Sequence, residues 1–570
     1  MVSRGIAPGV ALRRTYVSGA RERRSKNWNR YAGWIVGAAL ASLSAVTSGA
    51  GSNDAGSTAP VAVASLPRIA TIDARYQSYN VEMAEVIGGN FWKPYDRQSL
   101  AALKARPVAA PSVSGGAAAP VAGQDPAMFQ ARAPIDLANA RLRKLAAALG
   151  PAYMRTSGTW ANSVYFHDSD SAPPPAAPPG FQGVLTRPEW KGVIDFAHAV
   201  NAKLVSSFAI SAGVRDAAGV WTPGQAEKFL AYTKANGGQI AAAEFFNEPD
   251  MPTFGGAPTG YDAAAYARDF AVFRRFAKAA APDMLVVGPG SVGEGVLMPA
   301  LSDGMAKGFI KTEDMLAATP RPLFDVFSYH YYGAVSIRCA TMGAGAQTTA
   351  DAALSEQWLG RTDLSYDFYV TDLRNRFEPG RPVWITETAD AACGGNPWAA
   401  TFLDSFRYLD QLGRLAKRGV QVVFHNTLAS SEYGLLDQAT FAPRPNYWAA
   451  LLWHRLMGST VLDAGPSNPG LHLYAQCLPG HPGGVTLLAV NTDPEHPASL
   501  ELPMTAQRYT LSANKLEDTE VQLNKRTLAL GRGDTLPSLQ GVGVAGGHVE
   551  LAPASITFLA MAEAGNTNCR

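Results

Sequence analysis

Phe245-Phe246-Asn247-Glu248-Pro249 and, further along, Val383-Trp384-Ile385-Thr386-Glu387-Thr388 decide how this chain is read. Each is an apolar, β-prone run that ends on a glutamate. Burying a carboxylate is costly unless it is paired or hydrogen-bonded. A glutamate at the carboxyl end of a buried strand therefore has work other than packing. Two such groups facing each other can serve as acid and nucleophile at a glycosidic bond.

Similar runs recur on both sides of these two. Strands are expected at 76–81, 152–156, 203–209, 240–246, 284–288, 324–329, 383–386 and 420–425. Helical stretches separate most of them. Residues 137–149 carry an apolar stripe, and Thr222-Pro223-Gly224-Gln225 reads as a capping box with proline at the first helical position. Tyr266, Phe270 and Phe273 repeat at helical spacing, as do Phe402, Phe406 and Leu409, and are expected in the core. Strand and helix alternating eight times predict an α/β fold, a (β/α)8 barrel over 76–457 with its chemistry at the carboxyl ends of the strands. The ends are Glu82, Thr159, Ser211, Asn247-Glu248, His330-Tyr331, Glu387 and Asn426, and polar groups are expected to collect there rather than inside the strands.

Two Pro/Ala-rich insertions, 105–126 and 168–185, follow the first and second strands. They are either flexible surface or walls of a substrate cleft. After about Gly458 the helical pattern gives way to short alternating runs at 471–475, 485–491, 500–503, 549–551 and 556–560. These predict a C-terminal β-sandwich over 458–570, to which a strand within 67–75 could also belong.

The first fifty residues differ in texture. A basic stretch from Arg13 to Arg30 precedes an apolar run at 31–46, and Ser48-Gly49-Ala50 offers a cleavage site. Residues 1–50 therefore read as a secretory signal, which predicts an exported protein. The alternative is an uncleaved membrane anchor, for which the run is short. Residues 51–66 read as a linker. A net charge of +2 on 570 residues gives no nucleic-acid footprint. Cys339, Cys393, Cys477 and Cys569 allow up to two disulfides, and none has metal-type spacing, so neither metal nor cofactor is expected.

Several further strings support a resemblance. They are 76–82 (Tyr-Gln-Ser-Tyr-Asn-Val-Glu), Arg155-Thr156-Ser157-Gly158-Thr159, Ser328-Tyr329-His330-Tyr331-Tyr332-Gly333, Cys393-Gly394-Gly395 after Glu387, Tyr433-Gly434-Leu435-Leu436-Asp437, and Asn446-Tyr447-Trp448. With the two glutamates, they make the chain resemble the heparanase-like retaining glycoside hydrolases of family 79 over nearly all of its length after residue 66. The resemblance implies double displacement on a β-linked glucuronic acid. Glu387 would be the nucleophile and Glu248 the acid/base. Tyr331 would donate to Glu387, Asn247 would meet the sugar 2-OH, and Glu82 and Thr159 would grip hydroxyls. Tyr433 and the N–H groups of Gly394 and Gly395 would hold the uronate. It also implies a sandwich disulfide between Cys477 and Cys569. Cys393 departs from the family's glycine tract. It is expected either to pair with Cys339 or to intrude on the pocket. His330 could assist at the rim or be structural, and His425 is expected to pack at the end of strand eight. The substrate would be a β-glucuronide or a uronate-containing oligo- or polysaccharide. The competing readings are an arabinofuranosidase or xylosidase using the same glutamates, and a carbohydrate-binding protein that has lost catalysis.

Overall fold

Eight parallel strands close on themselves: Gln77–Asn80, Ala152–Thr156, Ala202–Ser206, Ile240–Glu244, Leu285–Val292, Val326–Val335, Val383–Ala392 and Val422–His425. This computed structural model describes residues 61–96, 100–101, 126–252, 254–300, 308–342 and 344–570. The basic leader with its apolar run, the linker up to residue 60, and the 105–126 insertion except Pro126 lie outside the described residues. Each barrel strand overlaps one of the eight apolar runs. Strands six and seven extend to Val335 and Ala392, past the polar residues that end the apolar runs, because their pairing continues through Ala334 opposite Ala391.

Alternation decides which side chains point into the barrel. Tyr153, Val205, Ala242, Val287, Val326, Trp384, Val422 and Phe424 form an apolar plug. Two residues further along their strands stand Arg155, Glu244, Ser328 and Thr386. Ser328 donates to Glu244 at 3.2 Å and Thr386 at 2.6 Å. The interior is therefore not apolar up to the rim, contrary to expectation. A complete polar layer lies beneath the rim, held by mutual hydrogen bonds.

Strand seven carries a bulge. Tyr329 lies opposite Ile385, but His330 lies opposite Glu387. On the other side Val423 faces Ile385 and His425 faces Thr388. Strand seven thus has one more residue than either neighbour over the same span. The extra residue lets consecutive side chains, Thr386 and Glu387, both turn inward.

The C-terminal region adds a nine-stranded sheet and a two-stranded ribbon, Ala498–Leu502 with Gly547–Leu551. Arg68–Thr71, ahead of the barrel, is an edge strand of the large sheet, antiparallel to Thr460–Leu462. Leu487, Ala489, Leu559 and Met561 on one face pack with Leu500, Leu502 and Leu551 of the ribbon. On the other face Tyr474 covers Gly413 of a barrel helix, Phe402–Lys417, and donates its hydroxyl to Asp410. The expected linker of 51–66 requires correction at its end. Val63 and Leu66 are buried in the sandwich core, and Asn566 donates to both of their carbonyls. Among the described residues no helix is long and apolar enough to cross a membrane.

Candidate active site

Strand four ends at Glu244, and the chain turns before Glu248. Glu248 adopts φ +51°, in the left-handed region that costs a side-chain-bearing residue energy. Asn162 holds this turn. Its Oδ1 accepts from the Asn247 N–H and its Nδ2 donates to the Asn247 carbonyl, both at 2.9 Å. Glu387 reaches the same space from the strand-seven bulge. One oxygen from each glutamate and one His330 nitrogen all lie within 4.8 Å of one another.

The two carboxylates have different neighbours. Glu387 Oε2 accepts from Arg155 Nη1 at 3.0 Å, and Oε1 accepts from Tyr332 Oη at 2.6 Å. Glu248 has His330 Nδ1 at 3.1 Å. Burial, helped by repulsion from Glu387, pushes the Glu248 carboxyl up, although its hydrogen bond with His330 opposes this. Burial also opposes a charged His330, but Glu387, Glu244 and Glu248 outweigh it. His330 is pushed up to about 10 and is an imidazolium at neutral pH.

Beneath them Arg155 is wholly buried. It donates to Glu244 from Nε at 3.0 Å and from Nη2 at 2.8 Å, and from Nη2 to Asn247 Oδ1 at 2.7 Å. Burial would raise Glu244, but Arg155, His330 and Thr386 hold it well below the usual carboxylate range. Two cations, Arg155 and His330, thus face two carboxylates, Glu244 and Glu387. Glu248 fits this balance best when it carries a proton. Glu248, His330 and Glu387 are close enough to share a metal ion. Both oxygens of Glu387 are bonded to Arg155 and Tyr332.

One expected contact is wrong by a single residue. Tyr332, not Tyr331, donates to Glu387. His330 and Tyr332 share the inward face of strand six. Tyr331 points outward into the barrel–helix core, where its hydroxyl accepts from Thr362 at 3.5 Å. Tyr332→Phe is expected to lower kcat about 10–100-fold by removing a charge-assisted hydrogen bond to Glu387. Tyr331→Phe should stay within about threefold, since it loses only a weak, distant bond. Steady-state kinetics on one aryl glycoside checks both, and equal losses would contradict the assignment.

The cleft above the glutamates has a polar side formed by Glu82, Thr159, Asn426 and Tyr433. Asn426 Nδ2 bridges Glu82 at 2.9 Å, Tyr332 at 2.9 Å and the Tyr433 hydroxyl at 3.3 Å. Burial first, and Glu387 second, raise the Glu82 carboxyl well above its ordinary range. His425 donates to the Tyr433 carbonyl at 2.6 Å. Burial lowers its pKa to about 3, so it stays neutral and structural. Cys393 is disulfide-bonded to Cys339, the first of the two expectations for it, and in that bonded form it lines the cleft. Gly394 and Gly395 follow it at φ +80° and +82°. A Cβ at Gly395 would stand 3.0 Å from Tyr433 Cδ1, so the loop packs too closely for a side chain. Their N–H groups have no partner among the described residues. Cys477 and Cys569 form the second disulfide.

The sequence reading passed over several residues that build this site. Glu244 lies in the same apolar run as Glu248, and strand parity with Ala242 could have marked it as inward. Asn162 and Arg338 had no local signal. Arg338 donates to the carbonyls of Cys393 and Gly395 and to Glu432, bracing the glycine loop from behind. No residue of the 168–185 insertion lines the cleft. Its ends, Val164–His167 and Gly183–Thr186, pair with each other and close it off as a separate loop.

Residues 131–413 match the family described as glycosyl hydrolase family 79, N-terminal domain. The chain is 29% identical over 379 residues to heparanase-like protein 1 of Arabidopsis thaliana, covering 63% of this chain and 65% of that one. It is 30% identical over 250 residues to baicalin-beta-D-glucuronidase of Scutellaria baicalensis, covering 42% and 46%. These matches span less than two thirds of either relative. Among solved structures, a 4-O-alpha-L-rhamnosyl-beta-D-glucuronidase from Fusarium oxysporum 12S superposes with a TM-score of 0.55 at 13% identity, over 87% of this chain and 99% of that one. At that identity the likeness shows the fold.

Proposed function

Since this chain is a heparanase-like protein of glycoside hydrolase family 79, we propose that it is a retaining β-glucuronidase working by double displacement. The observation that carries the reading is two facing carboxyl groups, with one oxygen of each within 4.8 Å of the other, one gripped by donors and the other raised by burial. Retention calls for carboxyl groups about 5–5.5 Å apart, and inversion for a wider gap that admits water.

Glu387 attacks the anomeric carbon while Glu248 gives its proton to the leaving oxygen. The glycosyl ester takes the negative charge from Glu387, and proton loss places one on Glu248. The total charge facing Arg155 and His330 stays constant. Loss of the Glu387 charge also removes a repulsion that raised Glu248. Glu248 is thereby suited to act as base toward water in the second step. Glu82 and Thr159 are proposed to hold sugar hydroxyls, with Asn426 fixing Glu82 in place. Asn247, whose Oδ1 is taken by Arg155, keeps its amide nitrogen for the 2-OH. The Tyr433 hydroxyl, which lines the cleft, suits the uronate carboxylate; Gly394 and Gly395, expected to share that role, are buried behind Cys393 and do not line the cleft.

The test is hydrolysis of an aryl β-glucuronide followed by NMR. The β-anomer of glucuronic acid should appear first. The matching glucoside should be slower by a factor on the order of 10²–10⁴, because it leaves the carboxylate's donor unpaired. Appearance of the α-anomer first would overturn the mechanism. Equal rates on both sugars would move the reading to arabinofuranosidase- or xylosidase-type relatives.

Glu248→Ala should separate substrates by leaving group. An activated aryl glucuronide needs no protonation, so it should lose about 100-fold less in the glycosylation step than an alkyl glucuronide. Equal loss on both would mark Glu248 as structural. In the parent enzyme, glycosylation needs the protonated acid. Activity should therefore fall as pH rises through the raised pKa of Glu248, and the plateau should extend above the ordinary glutamate range.

Export belongs to the same proposal. The basic leader, the apolar run and two disulfides support it. N-terminal sequencing of the extracytoplasmic protein would reveal either a start near Gly51 or an intact leader that acts as an anchor.

A further inference from the structure

Beside Glu248 the cleft has an apolar wall: Met251 and Phe254 come just after it, Val292 ends strand five, and Leu297, Met298 and Phe309 lie beyond. Trp92 and Trp160, after strands one and two, add apolar surface on the side of Glu82 and Thr159. Phe254 and Phe309 have ring centroids 6.2 Å apart. The acid must stand on the leaving-group side of the scissile bond. The wall that adjoins Glu248 is therefore the aglycone side. Among the described residues, no Lys or Arg lines the cleft. Arg338, behind the glycine loop, spends its donors on carbonyls and Glu432.

We propose that the leaving-group subsite takes an apolar, ring-bearing aglycone, so that the substrate is the β-glucuronide of a small hydrophobic alcohol or phenol rather than a sulfated polysaccharide. A sulfated chain would need cations to replace lost hydration, and among the described residues none lines the cleft. A hydrophobic ring needs only contact area, which this wall supplies. The inference rests on the β-glucuronidase reading and deepens it.

The test uses β-glucuronyl fluoride, which has no aglycone, alongside three glucuronides with leaving groups of similar acidity. These are the methyl and 2-phenylethyl glycosides and glucuronyl-β-1,4-N-acetylglucosamine. Expected are turnover of the fluoride and kcat/KM for the phenylethyl glycoside about 10–100-fold above both the methyl glycoside and the disaccharide, with little dependence on salt. Phe254→Ala should shrink the phenylethyl-to-methyl ratio about tenfold, and Phe309→Ser provides a second reading if that variant folds poorly. Fluoride turnover with equal rates on the phenylethyl and methyl glycosides would overturn the inference and leave the glucuronidase standing. So would preference for the disaccharide, or for a sulfated uronate tetrasaccharide whose cleavage collapses with salt. No turnover of the fluoride would overturn the glucuronidase reading, and the inference with it.

Discussion

Glu387→Ala is expected to lose on the order of 10⁴–10⁶-fold in kcat on every glucuronide, since removing a nucleophile from an interlocked site disables the whole unit. The loss should not depend on leaving group, in contrast to Glu248→Ala. The shortened side chain leaves a gap between Arg155 and Tyr332, two donors that previously held a carboxylate. Azide fits that gap as a small anion. It should restore turnover of an activated aryl glucuronide and yield the α-glucuronyl azide. The product anomer, read by NMR, decides the matter: a β-azide or near-parental activity without azide would remove Glu387 from the nucleophile's role.

Arg155→Met is expected to be the most damaging substitution for the fold as well as for activity. Arg155 is fully buried and binds Glu244 and Glu387 together. Its removal leaves two buried carboxylates short of a counter-ion, a defect that costs about 3–5 kcal/mol. Adding Glu244→Gln removes one of the stranded charges. The double variant should therefore regain part of its thermal stability, while activity stays low because Glu387 still lacks its partner. The pH dependence has a definite sign. Glu244 is held below its unfolded value, so its pairing stabilises the parent fully above about pH 4.3 and is lost as pH falls toward its lowered folded pKa. The stability gap between parent and Arg155→Met should thus be widest near neutrality and narrow below about pH 4. A gap that does not change with pH, or a double variant no more stable than the single one, would contradict the ion-pair account.

The barrel was legible because its strands are apolar runs separated by helical spacing, and each run lies within or against an observed strand. The two glutamates were legible because a carboxylate ending such a run is a costly exception. Side-chain direction was less so. Tyr331 and Tyr332 are equally plausible donors in a string of aromatics, and only the inward direction of His330, passed on by alternation, selects Tyr332. The polar layer was overlooked because Arg155 and Glu244 each look isolated in sequence, and their pairing joins strands two and four. Trp92 and Trp160 line the cleft from segments with no pattern linking them to it. Val63 and Leu66 were hidden by an Ala/Ser/Gly-rich context that resembles a linker until the sandwich closes over it.

The bulge in strand seven means that the position of Glu387 is encoded by counting as much as by chemistry. Substitutions at 384–386 change what surrounds the nucleophile but still deliver a carboxylate to the cleft. Loss of one residue anywhere in that span would restore strict alternation and still leave the glutamate opposite His330 on the inward face. The strand would then offer one inward position where it now offers two, and the place of Thr386 beside Glu244 would be vacant. In a lineage carrying this barrel, the length of strand seven therefore reports on the support beneath the glutamate, and the presence of the glutamate alone does not.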